Sequence, residues 1–486
     1  MDGPSLAAAG HGAPHDPEIL GITADSRAVR PGYLFVALPG SHADGRRFVD
    51  DAVQRGAAAV LTDTETAPEI AGRLSIPVFA DANPRRRLAQ AAARFYGPQP
   101  DIVVAVTGTN GKTSTASFTR QIWQGVGYPA ASIGTLGIER PEGLEPGSMT
   151  TPDAPALHAA LAALKRDGIE NVAMEASSHG LDQHRLDGVR LTAAAFTNLT
   201  QDHLDYHGDM GSYRAAKLRL FSEVLATGGT AVLNADSPEF DTFRGAVQGR
   251  GRTVLDYGKN ARALRLVSRK VHPTGQTLRV AWRGHSYEIG LDLLGEAQAM
   301  NALAALGLAL ATDIPIQAAI RSLEEVKTVR GRFEHIVSRN DGAKVFVDYA
   351  HTPDGLEKVL TAFRPHTAGR LVCVFGAGGD RDPTKRPKMG AAVAALADIA
   401  IVTDDNPRSE DPAAIRRAII EACPSAIEIG DRAAAIEAAM RMLGPGDILV
   451  IAGKGHEQGQ TVGATVLPFD DATVVREVAR RLREAT

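Results

Sequence analysis

Short apolar runs alternate with amphipathic segments along most of the chain. In the middle third, the run DIVVAVTG is apolar enough for a strand buried on both faces of a parallel sheet. Further strand-like runs follow, NVAMEA, LTAAAFTN and GTAVLN, and between them lie the helix-like segments APALHAALAALKRDG and SYRAAKLRLFSEVLA. This alternation predicts βαβ units built on a parallel sheet.

The last third of the chain repeats the alternation. Its strand-like runs are AKVFVDYA, RLVCVFGA, IAIVTDD and DILVIAG, and its helix-like segments include PKMGAAVAALA and DPAAIRRAIIEAC. A second parallel, Rossmann-like sheet is therefore predicted. The first hundred residues hold the short strand-like runs GYLFVAL and AAAVLTD and the helix-like RRRLAQAAARFY.

Three domains are predicted, because 486 residues exceed what one hydrophobic core organises. The paired prolines of Gly97-Pro98-Gln99-Pro100 resist helix continuation and mark the first boundary. The second boundary follows the helix-like EAQAMNALAALGLALAT, near Val329. The predicted domains are residues 1–98, 99–328 and 329–486, with residues 1–16 as a disordered tail and an overall α/β fold class.

Composition removes several classes of function. A net charge of −4 gives no electrostatic reason to expect a nucleic-acid partner. Two cysteines in so long a chain fit a reducing compartment and supply no disulfide framework. The apolar runs are too short to span a membrane, and the first residues lack the pattern of a secretory signal. A cytoplasmic location without membrane contact is therefore expected.

The sharpest local motif is VAVTGTNGKTSTASF, in which an apolar strand leads through a glycine turn into a helix. Glycines let the backbone approach phosphates, and a helix start offers free N–H groups. Lys112 supplies positive charge and Thr113 can ligate magnesium. The motif predicts an ATP site and a P-loop-type central domain; its residues are Gly108, Thr109, Asn110, Gly111, Lys112, Thr113 and Ser114. The alternative is a glycine-rich turn that happens to contain a lysine.

A second group of polar residues follows two later strands. Glu175 ends the run NVAMEA, and His203 lies in the cluster D-H-L-D-Y-H with Asp202 and Asp205. Carboxylates and imidazole could hold a second divalent ion, although a histidine can equally be structural. From the residues alone, Lys217 is only a basic side chain on a helix.

In the last third, the loops DYAHTPDG and FGAGGDRDPTKRPKMG also follow strands. The glycine-rich loop does not fit dinucleotide binding, because Arg381 stands where the third glycine of that fingerprint belongs. Its basic residues Arg381, Lys385 and Arg386 suit anionic groups instead. The later TDDNPRSEDP is a turn by composition.

Taken together and in this order, the blocks resemble the Mur ligases, within the superfamily that also contains folylpolyglutamate synthetases. The similarity runs from TADSR at 23 to FDD at 469 and includes the blocks DSR, GTNGKT, TTPD, ASSHGL, DHLDYH, GRFE, DYAHTPD, GDRD, DNPR and GKGHE. In particular, DNPR is similar to the motif of the members that add diaminopimelate, whereas lysine-adding members differ there. The resemblance implies a first domain that binds UDP, a central domain that binds ATP and a last domain that binds the amino acid.

Roles for individual residues come from this resemblance alone. It implies catalytic roles for Lys112, Glu175, His203 and Lys217. A magnesium site would comprise Thr113, Glu175, His203 and Lys217, the last as N6-carboxylysine. Further nucleotide contacts would be Asn301, Arg332 and Asp348. Contacts to the UDP-sugar substrate would be Ser26, Ser41, His42, Ala43, Thr150, Thr151, Ser177, Gln183 and Arg185. Contacts to diaminopimelate would be Arg386, Asp405, Asn406, Pro407, Arg408, Gly453 and Glu457.

The activity implied is addition of meso-diaminopimelate to UDP-N-acetylmuramoyl-L-alanyl-D-glutamate through an acyl phosphate, with ATP and Mg²⁺, by a monomer. Lysine addition and folate-type polyglutamylation on the same scaffold are the enzymatic alternatives. A non-catalytic sensor of UDP-sugars would be expected to lack Lys112, Glu175, His203 or Lys217, yet all four are present.

Overall fold

The computed structural model describes residues 17–40, 44–247, 249 and 251–484. The tail predicted at residues 1–16 and the turn Ser41-His42-Ala43 lie outside these residues. Three large sheets follow one another along the chain, and a two-stranded hairpin lies near its end. Of the helices that the structure describes, none is both long and apolar enough to cross a membrane.

The first sheet has four parallel strands in the order β1-β2-β3-β4. The strands are β1 Gly21–Thr23, β2 Tyr33–Val36, β3 Ala57–Asp63 and β4 Val78–Asp81. The helices are α1 Val49–Gln54, α2 Ala67–Ala71 and α3 Pro84–Tyr96. Asn83 caps α3 by accepting a hydrogen bond from the Arg86 amide, and proline occupies the first turn, where its missing N–H costs nothing.

The second sheet has eleven strands in the order β15-β14-β13-β12-β11-β10-β5-β9-β6-β7-β8. The strands are β5 Ile102–Thr107, β6 Ala130–Gly134, β7 Gly137–Arg140, β8 Gly143–Pro146, β9 Asn171–Glu175, β10 Leu191–Phe196, β11 Leu225–Asn234, β12 Thr253–Gly258, β13 Leu264–His272, β14 Gly275–Trp282 and β15 His285–Leu291. The helices are α4 Lys112–Gly125, α5 Ala154–Arg166, α6 Ser178–Asp182, α7 Leu204–His207, α8 Met210–Arg219, α9 Phe240–Val247, α10 Glu296–Ala311 and α11 Ile316–Glu324.

The middle of this sheet is parallel from β13 to β6, as the apolar runs predict, but both edges are antiparallel. These antiparallel edges were not predicted from the apolar pattern. Strand β13 alternates buried and exposed positions at its start, so it lacks the continuous apolar run of a strand covered on both faces. One core on one face of the sheet packs α4 and α10, and another on the opposite face packs α5 and α9.

The third sheet has the order β16-β17-β21-β18-β19-β20, parallel except for β16. Its strands are β16 Glu334–Ser338, β17 Lys344–Asp348, β18 Leu371–Phe375, β19 Ile399–Val402, β20 Ile427–Glu428 and β21 Ile448–Ala452, and the hairpin is β22 Gly459–Val462 with β23 Thr465–Pro468. The helices are α12 Pro353–Phe363, α13 Lys385–Leu396, α14 Pro412–Ile420, α15 Arg432–Met442 and α16 Asp471–Glu484.

The segment that leads into α10 ties the second sheet to the third. Leu294 is buried in the core formed by α12, β17 and β18. The Gly295 amide donates a hydrogen bond of 3.1 Å to Nε2 of His366, which lies just after α12. Nδ1 of His366 therefore carries the hydrogen and donates to the His272 carbonyl at 2.7 Å. The neutral imidazole of His366 thus joins the two parts of the chain.

Candidate functional site

The glycine loop after β5 is shaped for close contact with phosphates. Gly108 has a φ of 148°, and a Cβ there would lie 1.9 Å from the Thr197 hydroxyl oxygen. Gly111 has a φ of 87° and caps α4, and its Cβ would lie 2.3 Å from Oδ1 of Asn301. Only glycine fits either position. The second contact also places Asn301, on α10, against the loop.

The loop that follows β10 holds the phosphate loop in shape. The Thr197 hydroxyl donates to the Asn110 carbonyl at 2.6 Å, and Oδ1 of Asn198 accepts from the Asn110 amide at 3.0 Å. The Thr109 amide donates to the Asn198 carbonyl at 2.8 Å. Thr197 and Asn198 were not predicted as site residues, although they lie directly after a buried strand, where polar residues line the crevice at the end of a parallel sheet.

Two lysines converge on the Gly108 carbonyl. Lys112 Nζ donates to it at 2.9 Å and to the Thr109 carbonyl at 2.9 Å. Lys217 Nζ donates to the same Gly108 carbonyl at 2.9 Å and lies 4.5 Å from the ring centre of Tyr213. The two amines therefore share one acceptor.

Burial lowers the pKa of both lysines. Lys217 is 1% exposed, and burial, together with the charge of Lys112, holds its pKa well below the usual lysine value. Burial also lowers the pKa of Lys112, against the opposing charges of Glu175 and Asp202. A lysine that loses its proton easily is a nucleophile, which is the state that reaction with carbon dioxide requires.

Glu175, at the end of β9, is buried with a fixed orientation. Its Oε1 accepts from the Thr135 amide at 2.7 Å and its Oε2 from the Thr135 hydroxyl at 3.3 Å. A Cβ on Gly134 would lie 2.1 Å from Oε1. Glu175 and Thr113 line the same small cavity beside α4. Thr135 was not singled out from the sequence.

His203 is half-exposed at the start of α7. It begins α7 with a φ of 53°, its ring meets that of His179 edge-on at 4.8 Å, and Nε2 lies 3.4 Å from Oδ2 of Asp202. Among the described residues, no three His, Cys, Asp or Glu side chains are grouped as a metal site. The oxygen donors Glu175 and Thr113 suit Mg²⁺, and a carboxylated Lys217 would add another, so the residues present fit that ion in chemistry. The predicted magnesium site stays a prediction.

A cavity of about 280 Å³ lies between the first sheet and the second, lined by Thr23, Asp25, Arg85, Asp153, Gln183 and Arg185 among others. Ser26 is buried in the short 3₁₀ turn that follows Asp25. Arg185 donates to the Thr151 carbonyl at 2.6 Å and to Oε1 of Gln183 at 2.8 Å. Arg85 and Asp153 were not predicted as site residues.

The predicted substrate residues continue from this cavity to Glu175. The Thr151 hydroxyl donates to the Glu175 carbonyl at 2.8 Å and accepts from the Ser177 amide at 3.0 Å. The Thr150 and Thr135 hydroxyls lie 3.0 Å apart. A connected polar path therefore joins the cavity to the neighbourhood of the phosphate loop.

The third sheet contributes an arginine to the same region. Arg332 Cζ lies 4.7 Å from the ring centre of Tyr349, and its charge helps to lower the pKa of Lys112 across the cleft. Asp348 accepts from the Phe333 amide at 2.8 Å and from the Ala350 amide at 2.9 Å. Burial raises the pKa of Asp348, and the Arg332 charge opposes that rise.

A second polar pocket lies farther out on the third sheet, around residues 405–408. Asp405 is buried, and its Oδ2 has no hydrogen-bond partner among the described residues. A Cβ on Gly453, whose φ is 117°, would lie 2.4 Å from that oxygen. Asn406 Nδ2 donates to Oε2 of Glu457 at 2.8 Å. The Pro407 carbonyl would meet a Cβ on Gly379 at 1.9 Å.

Two arginines bound this pocket. Arg386 is buried and donates to Oε1 of Glu410 at 2.8 Å, while its Nε has no partner in the described chain. Arg408 donates to the Gly379 carbonyl at 2.7 Å. No carboxylate of the described residues forms an ion pair with Arg408. The pocket thus contains a buried carboxylate oxygen and a buried guanidinium N–H that have no partner among the described residues.

Comparisons with known proteins agree with this geometry. Three family descriptions match: "Mur ligase family, catalytic domain" at residues 18–96, "Mur ligase middle domain" at 106–309 and "Mur ligase, glutamate ligase domain" at 331–455. A protein of Caulobacter vibrioides named UDP-N-acetylmuramoyl-L-alanyl-D-glutamate--2,6-diaminopimelate ligase is 54% identical over 464 residues, covering 94% of each chain. The chain belongs to the Mur ligase family.

Other Mur ligases give the same result. A Rhizobium meliloti protein with the same name is 52% identical and covers 98% of this chain and 97% of its own. A solved ligase structure with that name has a TM-score of 0.73 at 33% identity and covers 96% of this chain and 95% of its own. A Thermotoga maritima MurF ligase in complex with ADP shares the fold, with a TM-score of 0.63 at 18% identity, covering 97% of this chain and 100% of its own.

The predictions of a Mur ligase, of an α/β fold with parallel sheets and of an ATP-using ligase are thereby confirmed. The structure brings Lys112, Lys217 and Asn301 to the phosphate loop, and it brings Asp405 and Glu457 to a separate pocket. The domain boundaries and the roles of individual residues remain predictions.

Proposed function

We propose that this Mur ligase joins meso-2,6-diaminopimelate to UDP-N-acetylmuramoyl-L-alanyl-D-glutamate at the expense of ATP. The observation that carries the proposal is the pocket around Asp405 and Arg408. Diaminopimelate is lysine with an additional carboxylate, and a guanidinium without an intramolecular carboxylate partner suits that group. The buried, unpartnered Oδ2 of Asp405 suits the ammonium group next to that carboxylate in diaminopimelate.

The chemistry begins at the phosphate loop. A carboxylate is a poor electrophile, so the D-glutamate γ-carboxylate first attacks the γ-phosphate of ATP and becomes an acyl phosphate, with ADP leaving. Lys112 and the backbone N–H groups of the loop stabilise the charge on the transferring phosphoryl group. Arg332 adds a cation from the third sheet.

The second step joins the amino acid. The amine of diaminopimelate attacks the acyl phosphate carbon, a tetrahedral intermediate forms, and inorganic phosphate leaves as the amide forms and the amine loses its proton. The pocket around Asp405 holds the far end of the amino acid, so that the amine approaches from the third sheet while the acyl phosphate stays at the second.

Thr113, Glu175, His203 and N6-carboxylated Lys217 would hold Mg²⁺. When bound, the ion would neutralise repulsion between the triphosphate and the attacking carboxylate. The low pKa of Lys217 supports its carboxylation, because the neutral amine is the form that reacts with carbon dioxide. The cavity near Arg185, with the path from Thr151 to Glu175, supports a site for the UDP-sugar and its peptide.

The proposal includes a cytoplasmic location, which the two free, buried cysteines Cys373 and Cys423 support. It also includes the three predicted domains, since each of the three sheets lies within one predicted range.

The deciding experiment measures phosphate release and the mass of the product. The enzyme is given ATP, Mg²⁺ and UDP-N-acetylmuramoyl-L-alanyl-D-glutamate with meso-diaminopimelate, L-lysine or L-glutamate in separate reactions. A further reaction replaces the UDP-sugar by a folate and supplies L-glutamate. We expect product only, or far faster, with diaminopimelate. Preference for lysine would refute the proposed amino acid, and turnover of a folate with glutamate would refute the proposed acceptor.

A further inference from the structure

Lys454 is a fully buried lysine beneath the pocket formed by Asp405, Asn406, Arg408 and Glu457. Its side chain has 0% exposure. Nζ donates to Oδ1 of Asn406 at 3.0 Å and to Oε2 of Glu457 at 3.2 Å. Burying an ammonium costs several kcal/mol unless it is paired, so the two contacts are what make this position tenable.

The contacts of Lys454 complete a network that fixes both partners. Asn406 Nδ2 donates to the same Oε2 of Glu457 at 2.8 Å, and the Thr461 amide donates to Oδ1 of Asn406 at 2.9 Å. Oε2 of Glu457 therefore receives two donors. All hydrogen bonds to this carboxylate within the described chain reach Oε2, so Oε1 is left to a ligand.

The charges of the pocket also depend on Lys454. Asp405 and Glu457 are both acidic, and Lys454 supplies one opposing charge in direct contact with the second. Two other buried cations nearby have carboxylate partners of their own: Arg432 is paired with Asp471 at 2.7 Å and Arg386 with Glu410 at 2.8 Å. Asp405, Glu457 and Lys454 together therefore carry one net negative charge, which matches a single substrate ammonium.

We propose that Lys454 is the positioning residue of the amino-acid pocket: it locks Asn406 and Glu457 so that the free Glu457 oxygen accepts the ammonium of the incoming amino acid. This inference rests on the proposed function. Lys454 itself does not reach the ligand. Its loss frees the Glu457 carboxylate to rotate and removes the positive charge that lies in direct contact with it.

The test compares Lys454→Met, Glu457→Gln and the double variant, with Lys358→Met as the matched control. Lys358 is an exposed lysine of α12 whose only ion pair is with Asp354 among the described residues. Steady-state kinetics give a KM for each of the three substrates. We expect Lys454→Met to raise the KM for meso-diaminopimelate by about 10- to 100-fold, the range for loss of a hydrogen bond to a charged group. The KM for ATP and for the UDP-sugar should change less than about twofold.

The double variant separates positioning from a general effect on packing. If Lys454 acts through Glu457, the double variant has a KM for the amino acid close to that of Glu457→Gln alone, because the carboxylate that Lys454 positions is already absent. Losses that multiply, or an equal rise in all three KM values, would overturn the assignment. Lys454→Gln, which keeps a donor of smaller size, gives the same comparison should the Met variant fold poorly, and we expect it to recover part of the lost affinity.

Failure of the role proposed for Lys454 can be distinguished from failure of the proposed function. Wild-type enzyme that rejects diaminopimelate would refute the function. The coupling between Lys454 and Glu457 would then be measured with the amino acid that the wild type does use, and an absence of coupling there would refute the role of Lys454.

Discussion

Lys217 and Gly108 lie 109 positions apart in the chain and are joined by a hydrogen bond of 2.9 Å from the lysine amine to the glycine carbonyl. The bond ties α8 to the phosphate loop. It also leaves the amine in a buried place where the neutral form is favoured. A side chain that costs stability and contacts the loop is a candidate for chemistry.

Replacement of Lys217 by Met should therefore separate stability from activity. We expect ligation to fall by at least about 100-fold, the range for loss of one group that stabilises transition-state charge. The Tm near neutral pH should rise, because the variant no longer buries a group whose charged form is favoured in the unfolded chain. Thermal unfolding and phosphate release measure the two effects. Lys270→Met, at an exposed position of β13, should change neither, and wild-type activity in the Lys217 variant would refute its role.

The close approach of Gly108 to Thr197 predicts loss of nucleotide binding in Gly108→Ala. The added Cβ would meet the Thr197 hydroxyl at 1.9 Å and displace the loop that holds the phosphates. Gly127→Ala is the control, since Gly127 also has a positive φ, 92°, but no atom within 4 Å of the new Cβ. Both variants bear a backbone strain of about 1 kcal/mol. Titration with a fluorescent ATP analogue should show weakened binding in Gly108→Ala alone, and equal affinities would contradict the steric argument.

We expect Arg408 to be responsible for a preference for diaminopimelate over lysine as the amino-acid substrate. In Arg408→Met we expect the KM for diaminopimelate to rise by about 10- to 100-fold, because a charge-assisted hydrogen bond is lost. Lysine lacks the second carboxylate, so its weak use should be unchanged, and the ratio of kcat/KM for the two amino acids should fall. Arg417→Met, exposed on α14, serves as the control. An unchanged ratio would show that another group recognises the carboxylate.

The lowered pKa of buried His366 should make the stability of the folded chain depend on pH. Burial, with the charges of Arg269, Lys344 and His272, holds its pKa below the usual value. As pH falls through about 6.5, the unfolded chain takes up a proton that the folded chain refuses, so stability declines. The loss ends only when the pH has fallen below the folded pKa.

The test of that dependence uses His366→Gln, which cannot titrate. We expect its Tm to decline less between pH 7 and about pH 5 than the wild-type Tm. His285→Gln, at an exposed position of β15, should retain the wild-type slope. A His366 variant with that same slope would show that other histidines account for the loss.

The parallel strands and the phosphate loop could be predicted because their signals are local. The run that becomes β5 is apolar throughout, and its turn needs glycine at positions 108 and 111 for reasons of backbone geometry. The antiparallel edges β13 to β15 could not, because their exposed polar positions weaken the apolar pattern.

Contacts between distant segments could not be predicted from the sequence, for a different reason. Lys454 meets Asn406 across 48 positions, and nothing near either residue indicates the pairing. Likewise, the local sequence around Lys217 predicts only a helical lysine, and its catalytic role was implied by the family resemblance alone. Burial and partner identity are properties of the folded chain, so local pattern carries little information about them.

The insertion of Leu294 into the third core has a mechanical consequence. The next residue, Gly295, is fastened to His366, and α10 begins directly after it with Asn301 pressed against Gly111. Leu294, Gly295 and α10 therefore connect the core of the third sheet to the glycine loop after β5. A rotation of the third sheet would displace Asn301 relative to Gly111, because the helix that bears Asn301 is anchored at its start to that core.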